Sequence, residues 1–440
     1  MEQRERTVIR RKLVCGAAAR AVAALGIAAG AHAAGDETIK VALIGCGFRG
    51  TGAAAQSLLT KGPVKLWAMA DLFADRLESC LANLTKGHEA RYDREAHQGF
   101  AGQIDVPPER RFLGFDAYKK AMDSGVDVVI LATHGHFRPA HYEYAVKQGK
   151  HVFMEKPVAV DAPGIRQVLA ADEEAKKKGL KVAVGLQRRH NLRQQETIKR
   201  VKDGAIGEIA FMRCYCALGD FRGYPRPDMT EMEYQLRSGD IFAWLDGGYL
   251  VCGLIHPLDM CNWAKGAHPV TAQGQGGRQV HTGREYGDTH DHAFVEFTYE
   301  DGTKMFGQCR SISGCWNSHS AHVHGTKGTA DIDGGRIEGS SPWRFRGSIP
   351  NPYQVEHDVL VDAIRNNKPH NEAEYGAIST MATIMGRMAS DSGQMITWDQ
   401  AINSKLRLGP NKYAFDAAPP VVPDKSGSYP VATPGVAKVL

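Results

Sequence analysis

Residues 42–50 read ALIGCGFRG, an apolar run that ends in Gly45, Gly47 and Gly50. KVALIG reads as a buried strand. RGTGAAAQSLLTKG, with small residues at its start, reads as the helix that follows. A G-x-G-x-x-G between a strand and a helix turns backbone N–H groups and the helix N-terminus toward a pyrophosphate. Three glycines alone make only a turn; the flanking strand and helix give the reading its force. Asp71 ends the next strand, VKLWAMAD. A carboxylate about 20 residues past the glycines accepts hydrogen bonds from an adenosine ribose. It also repels a 2′-phosphate, so NAD is expected in preference to NADP, with Arg49 as a charge that softens the choice.

The alternation of strand and helix continues outward. VDVVILAT and KHVFME are further strands, and ADRLESCLANLTKG and PAHYEYAVKQG are helices. This pattern predicts a parallel sheet in an α/β Rossmann dinucleotide-binding domain. The polar stretch 88–111 reads as an irregular loop. Further on, IAFMRCYCAL, PVTAQGQGG, HAFVEFTYEDG and KMFGQCRSI are strands, and GTKGTADIDGG is a turn with a short strand. With the helix EHDVLVDAIRNNKP they predict an α+β domain, an open and largely antiparallel sheet with helices on one face. In ISTMATIMGRMASDSG, Ile and Met recur at helical spacing, which reads as core rather than as a cofactor feature.

The segment before the first strand has the pattern of an export signal. Arg10-Arg11-Lys12, a weakly apolar stretch and Ala31-His32-Ala33 form an n-region, an h-region and an A-x-A site. The arginine pair suggests the twin-arginine route. A membrane anchor needs about 20 mainly apolar residues, and Arg20 interrupts this stretch. The formal charge of the whole chain is +5, of which residues 1–33 carry +4 (six Arg/Lys, two Glu), leaving +1 for the remainder. That balance offers no basic footprint for nucleic acid, and no later segment is apolar enough to span a membrane. Of nine cysteines, none stands in a C-x-x-C pair, so no metal site is expected. The expected organisation is a signal peptide at 1–33, a Rossmann domain at 34–157, a substrate and oligomerisation domain at 158–405, and an extended tail at 406–440.

Residues 149–160, GKHVFMEKPVAV, carry a strand and the turn after it. With ALIGCGFRG, ILATHGHFRPAH and the Glu155-Lys156-Pro157 triplet, the chain resembles the Gfo/Idh/MocA oxidoreductase family over most of residues 38–405. The resemblance implies that Lys156 lies between nicotinamide and sugar. To Gly45, Gly47, Phe48, Arg49, Gly50 and Asp71 at the cofactor it adds Thr133, His134, Glu155 and Gln187. The residue chemistry agrees. A lysine at the carboxyl end of a parallel strand points into the crevice where ligands bind, and burial moves its pKa toward a range useful for proton transfer.

DGGYLVCGLIHPLDMCNW, residues 246–263, resembles the family's catalytic helix, where a glycine pair precedes a carboxylate and, four residues later, a histidine. His256 holds the histidine position, but Cys252 stands where the carboxylate is expected. An i, i+4 pair shares one helix face, and a thiol orients an imidazole poorly. Asp259, three residues after His256, is the expected replacement, with Asp246 and Tyr249 as further candidates. GDTHDHAFVEF contributes His290, Asp291 and His292, and QCRSISGCWNSHSAHVHG contributes Arg310, Trp316, His319, His322 and His324. Asp291, His292, Arg310 and Trp316 are expected at the sugar, the histidine-rich stretch being either a solvated polar loop or a sugar contact.

Export and a nicotinamide cofactor fit together if the enzyme keeps its NAD and regenerates it in each turnover. The resemblance therefore implies a secreted or periplasmic NAD enzyme acting on a sugar or glycoside, working as a homo-oligomer. Two branches fit: a sugar–sugar oxidoreductase of the glucose–fructose type, and an NAD-dependent glycosidase working by transient oxidation, elimination, water addition and reduction. An inactive NAD-dependent binding protein is the alternative from another class, favoured by Cys252 and opposed by Lys156 and His256.

Overall fold

The computed structural model describes residues 37–87, 89 and 97–440. The expected leader at 1–33 lies outside them. Six parallel strands form the first sheet: β1 (Ile39–Ile44), β2 (Val64–Asp71), β3 (Arg111–Leu113), β4 (Val128–Leu131), β5 (His151–Met154) and β6 (Val182–Val184), in the order β3-β2-β1-β4-β5-β6. Helices cover both faces, which is why β1 and β4 read as continuous apolar runs. The order reverses between β1 and β4, so the crevice at their carboxyl ends is the ligand site of a doubly wound sheet.

Helices α1 (Phe48–Leu58) and α2 (Ala74–Lys86) pack on one face, and α3 (Ala117–Asp123), α4 (Arg138–Lys147) and α5 (Ala162–Lys177) lie on the other. The sheet runs on past residue 157, where the sequence reading closes the first domain, because β6 lies beyond the crossover helix α5. The described part of the expected 88–111 loop contains two single 3-10 turns and leads into the edge strand β3, whose three residues are too few to show a period.

The second sheet has nine strands: β7 (Ile209–Leu218), β8 (Thr271–Gly277), β9 (His292–Thr298), β10 (Lys304–Ser311), β11 (Ser318–Gly325), β12 (Gly328–Asp331), β13 (Arg336–Gly339), β14 (Trp343–Arg344) and β15 (Ile396–Thr397). All neighbours are antiparallel except the central pair β7–β10. β11 falls within the stretch read as a polar loop. Ala321 and Val323 are fully buried between half-exposed histidines, so its period is two, masked by histidine on the outer face.

Helices α6 (Leu192–Lys202), α7 (Glu231–Arg237), α8 (Ala243–Asp246), α9 (Gly248–Cys252) and α10 (Ile255–Lys265) precede β8. Then α11 (Pro352–Arg365) crosses back to the first sheet, where Leu360, Val361 and Ile364 pack with Leu43 and Phe153. Helix α12 (Ala373–Ser392) buries Met381, Ile384, Met385 and Met388 in the core, as its spacing predicts. The tail after Pro410 has neither helix nor strand and packs on its own chain. Tyr413 bonds His136, Phe415 meets Phe73 and Phe115, and Tyr429 meets Phe242.

Candidate active site

A cavity of about 940 Å³ opens at the carboxyl ends of β1, β2, β4 and β5. The glycine turn forms its floor. Gly45 has φ +94°, and a Cβ there would stand 2.6 Å from the carbonyl carbon of Ala132. A Cβ on Gly50 would lie 1.9 Å from the Gly45 oxygen. A Cβ on Gly47 would meet nothing within 4 Å, so this glycine leaves room for a ligand's close approach. The three spacings match the three requirements of a pyrophosphate turn: a tight bend, an open approach and close packing of helix on strand.

Asp71 lies at the end of β2 and lines this cavity. Its Oδ2 accepts from the Cys46 N–H at 2.6 Å and its Oδ1 from the Phe73 N–H at 2.9 Å, leaving acceptor capacity for a ribose. Arg49, expected near a 2′-phosphate, turns elsewhere: its Nε donates to Glu155 at 2.7 Å, and the guanidinium stacks over Tyr353. The cation on the ribose side is instead Arg76, in the first turns of α2. Asp71→Ala is therefore expected to weaken NAD binding about tenfold or more, by loss of charge-assisted hydrogen bonds, while NADP gains relative to NAD. Titration with both cofactors checks this; a native chain that binds NADP more tightly refutes the placement of Asp71.

Thr133 and His134 follow β4 and line the cavity as read. Both His134 ring nitrogens are already used, Nδ1 on Asp246 at 2.6 Å and Nε2 on the Leu236 carbonyl at 3.0 Å. Burial lowers the pKa of this imidazole, but the Asp246 carboxylate outweighs burial and leaves it raised. The same pairing, helped by the Gly135 N–H at 2.7 Å, holds Asp246 below its ordinary range against burial. Asp246 thus ties α8 to the loop after β4 and is not available to His256.

Lys156 stands two residues past β5, and its Nζ donates to the Cys252 carbonyl at 2.9 Å. That bond joins the end of a first-domain strand to the end of α9. His256, in the first turn of α10, lines the same cavity with its Nδ1 buried and without a partner. Burial, then Lys156 and Arg188, keep its imidazole well below the ordinary range and hence neutral. Gln187 donates to the Tyr353 hydroxyl at 2.9 Å and leaves its Oε1 buried and unpaired. The orphaned atoms of His256 and Gln187, with the clear approach over Gly47, fit a nicotinamide dinucleotide lying along the crevice.

Two expected catalytic partners are corrected. The Asp259 carboxylate is fully buried, receives both arms of Arg189 at 2.8 Å, and also accepts from the Ser379 hydroxyl at 2.6 Å. The Tyr249 hydroxyl accepts from the Cys216 thiol at 3.3 Å, and its residue does not line the main cavity. The four expected sugar contacts do not line it either. Strand alternation puts His292 and Arg310 on the outer face of the second sheet with Phe294 and Phe306. Trp316 lies at that face, edge-on to Tyr215. Asp291 is buried and accepts from the backbone N–H groups of Gln279, Val280 and His281.

The sequence reading missed Asp240. It stands in a single 3-10 turn, Gly239–Ile241, and lines the cavity along with Lys156, Cys252 and His256. Its side chain is exposed where it lines that cavity. Surrounding protein, then the like charge of Asp246, push its carboxyl above the ordinary range. The Cys252 thiol is pushed far up by burial and then by the Asp240 charge, so it stays protonated. No motif marks Asp240; its one sequence signal is a glycine before an acid in a polar stretch.

A doubly wound nucleotide domain joined to an open sheet over a shared crevice defines a two-domain nicotinamide-dependent oxidoreductase architecture. The chain belongs to the Gfo/Idh/MocA family. Residues 39–186 match its oxidoreductase, NAD-binding Rossmann fold model and residues 195–331 its GFO/IDH/MocA C-terminal domain model. It is 29% identical over 216 residues to 2,7-anhydro-N-acetylneuraminate hydratase of Escherichia coli, covering 49% of this chain and 54% of that one. The match thus spans about half the length of that relative. It is 25% identical over 267 residues to scyllo-inositol 2-dehydrogenase (NAD(+)) of Bacillus subtilis, covering 58% and 72%. The fold is similar to aldose-aldose oxidoreductase of Caulobacter crescentus (TM-score 0.61, 19% identity, 82% of this chain and 99% of that one). It is equally similar to Lactobacillus casei scyllo-inositol dehydrogenase with bound NAD(H) and scyllo-inositol (TM-score 0.61, 18% identity, 82% and 100%). Among the described residues no cluster of His, Cys, Asp or Glu fits a metal ion, and no helix is long and apolar enough to cross a membrane.

Proposed function

We propose that this chain is an exported NAD-dependent enzyme that acts on a sugar or glycoside and regenerates its cofactor within each catalytic cycle. The observation that carries this reading is the convergence of Lys156, His256 and Asp240 on one cavity whose floor is the pyrophosphate turn. Bound there, NAD would exchange a hydride with a sugar carbon. Lys156, aimed from the strand end, takes the hydroxyl proton as a neutral amine when that sugar oxygen becomes a carbonyl, and returns it when the carbonyl is reduced. His256, neutral and with Nδ1 open, is a second acceptor for that same proton. Asp240 supplies the negative charge that the family helix places where Cys252 stands here.

The hydratase relative favours a second reading, in which oxidation of a ring position acidifies a neighbouring C–H. His256 then removes that proton, the C–O bond breaks, and water adds. Both readings are redox-neutral overall. Incubation with a panel of sugars, aryl glycosides and anhydro-sugars, with and without added NAD, distinguishes them. Paired aldonic and alditol products mark the first, and hydrolysed or hydrated products the second. No product from any member leaves the binding-protein alternative.

Export by the twin-arginine route belongs to the same reading, since the chain would then fold around NAD before it leaves the cytoplasm. Replacing Arg10 and Arg11 by lysine is expected to retain the protein in the cytoplasm, as read by cell fractionation; unchanged export refutes the route. Self-association is supported by the outer face of the second sheet, where Phe306 lies about 6 Å from both Phe211 and Phe294.

A further inference from the structure

The wall of the cavity above Asp71 is built by the second domain, not the first. Leu236, Arg237 and Ser238, at the end of α7, line it opposite Phe73 and Arg76. Asp71 marks the ribose position, so this is the adenosine end, which a bare Rossmann domain leaves open to solvent.

Arg237 fastens the wall. Its guanidinium lies 3.7 Å from the Phe73 ring centroid, and its two Nη atoms donate to Asp75 at 3.0 and 3.1 Å. Its Nε donates to Glu233 at 3.0 Å, which fixes the fork in place. The Arg237 carbonyl accepts from Arg76 at 2.9 Å, so backbone and side chain are both tied to the first turn of α2. The C-terminal tail backs the join. Phe415 packs 5.6 Å from Phe73 and 5.5 Å from Phe115, and its carbonyl accepts from the Thr230 hydroxyl at the start of α7.

We propose that α7, bolted through Arg237 to Asp75 and Phe73 and backed by Phe415, is a strap that holds the adenosine half of NAD in place between turnovers. The inference rests on the reading that NAD occupies this cavity. It assigns to Arg237 a positioning role distinct from the chemistry at Lys156. The dinucleotide leaves only when the strap parts from α2, so opening limits release and capture alike.

The test is the rate of NADH release, followed by loss of its fluorescence on mixing the loaded protein with excess NAD. Arg237→Ala removes a partly buried bidentate pair and a cation–π contact, and is expected to speed release about tenfold. Asp75→Ala, on the surface, is expected to speed it about threefold. The double variant should release no faster than Arg237→Ala alone. Capture should quicken with release, so the equilibrium affinity moves less than the rate, an outcome that simple loss of a ligand contact does not give. Melting curves check that the variants fold; if Arg237→Ala does not, Asp75→Ala decides. A native protein that binds no NADH refutes the occupancy reading. A native protein that binds NADH, with variants that release it at the native rate, overturns the strap alone.

Discussion

Lys156→Ala is expected to keep NAD bound while lowering turnover by about 10²–10⁴-fold, the range for loss of a general acid–base group. The two effects separate because the structure separates the groups. The pyrophosphate turn is made by Gly45, Gly47 and Gly50; Gly45 and Gly50 pack on Ala132 and on each other, Gly47 stands open, and none of the three packs on Lys156. The amine reaches instead to the Cys252 carbonyl, across the domain boundary. Loss of that hydrogen bond costs about 1 kcal/mol of stability, a few degrees in melting temperature. Lys156→Gln resolves what remains. It keeps a donor for the carbonyl but cannot pass a proton, so it should be as inactive as the alanine variant and closer to native in melting. The cofactor released on denaturation is identified by its absorbance, and turnover is measured on the substrate the panel identifies. Glutamine activity near native would make Lys156 a structural bridge only. A native protein that purifies without cofactor would defeat the retained-NAD model.

The nucleotide domain was legible because its signals are local. A buried strand, three glycines and an acid at the next strand end are fixed by contacts within one βαβ unit, as the Gly50–Gly45 and Asp71–Cys46 distances show. The helix that carries His256 was legible as a motif but not as a set of partnerships. His256 and Asp259 have helical spacing, yet Asp259 is claimed by Arg189, from a turn 70 residues earlier. Nothing near Asp259 in the chain announces that cation. Arg49 repeats the lesson. Its place in the glycine turn suggested a phosphate contact, while Glu155, on another strand end, takes the guanidinium. The sugar contacts failed on sheet geometry. Arg310 and His292 lie on strands paired to one another, and their alternation sends both to the outer face. That face could be assigned only after the helices were seen to cover the other.

Asp240→Asn is expected to lower kcat by about 10²-fold, the lower end of the acid–base range, with little change in NAD affinity. The reason is the substitution the chain has made in itself. Where the family helix carries a carboxylate, Cys252 is protonated and neutral, so the charge that balances Lys156 must come from elsewhere. Asp246 is occupied by His134 and Gly135, and Asp259 by Arg189. Asp240 remains, facing the same cavity. Its folded pKa is raised, so its carboxylate protonates at higher pH than an ordinary aspartate. Activity that needs the charged form is lost as pH falls through that raised value. The native kcat–pH profile should therefore carry an acidic limb above the usual aspartate range, and the asparagine variant, which has no charge to lose there, should lack it. A merely structural role would lower activity without removing the limb. The decisive variant returns the carboxylate to the helix: Cys252→Asp in the Asp240→Asn background is expected to recover at least tenfold, since either position places one negative charge within reach of Lys156. Loss of activity without loss of the limb, and without recovery by Cys252→Asp, would show that Asp240 shapes the cavity and takes no part in proton transfer.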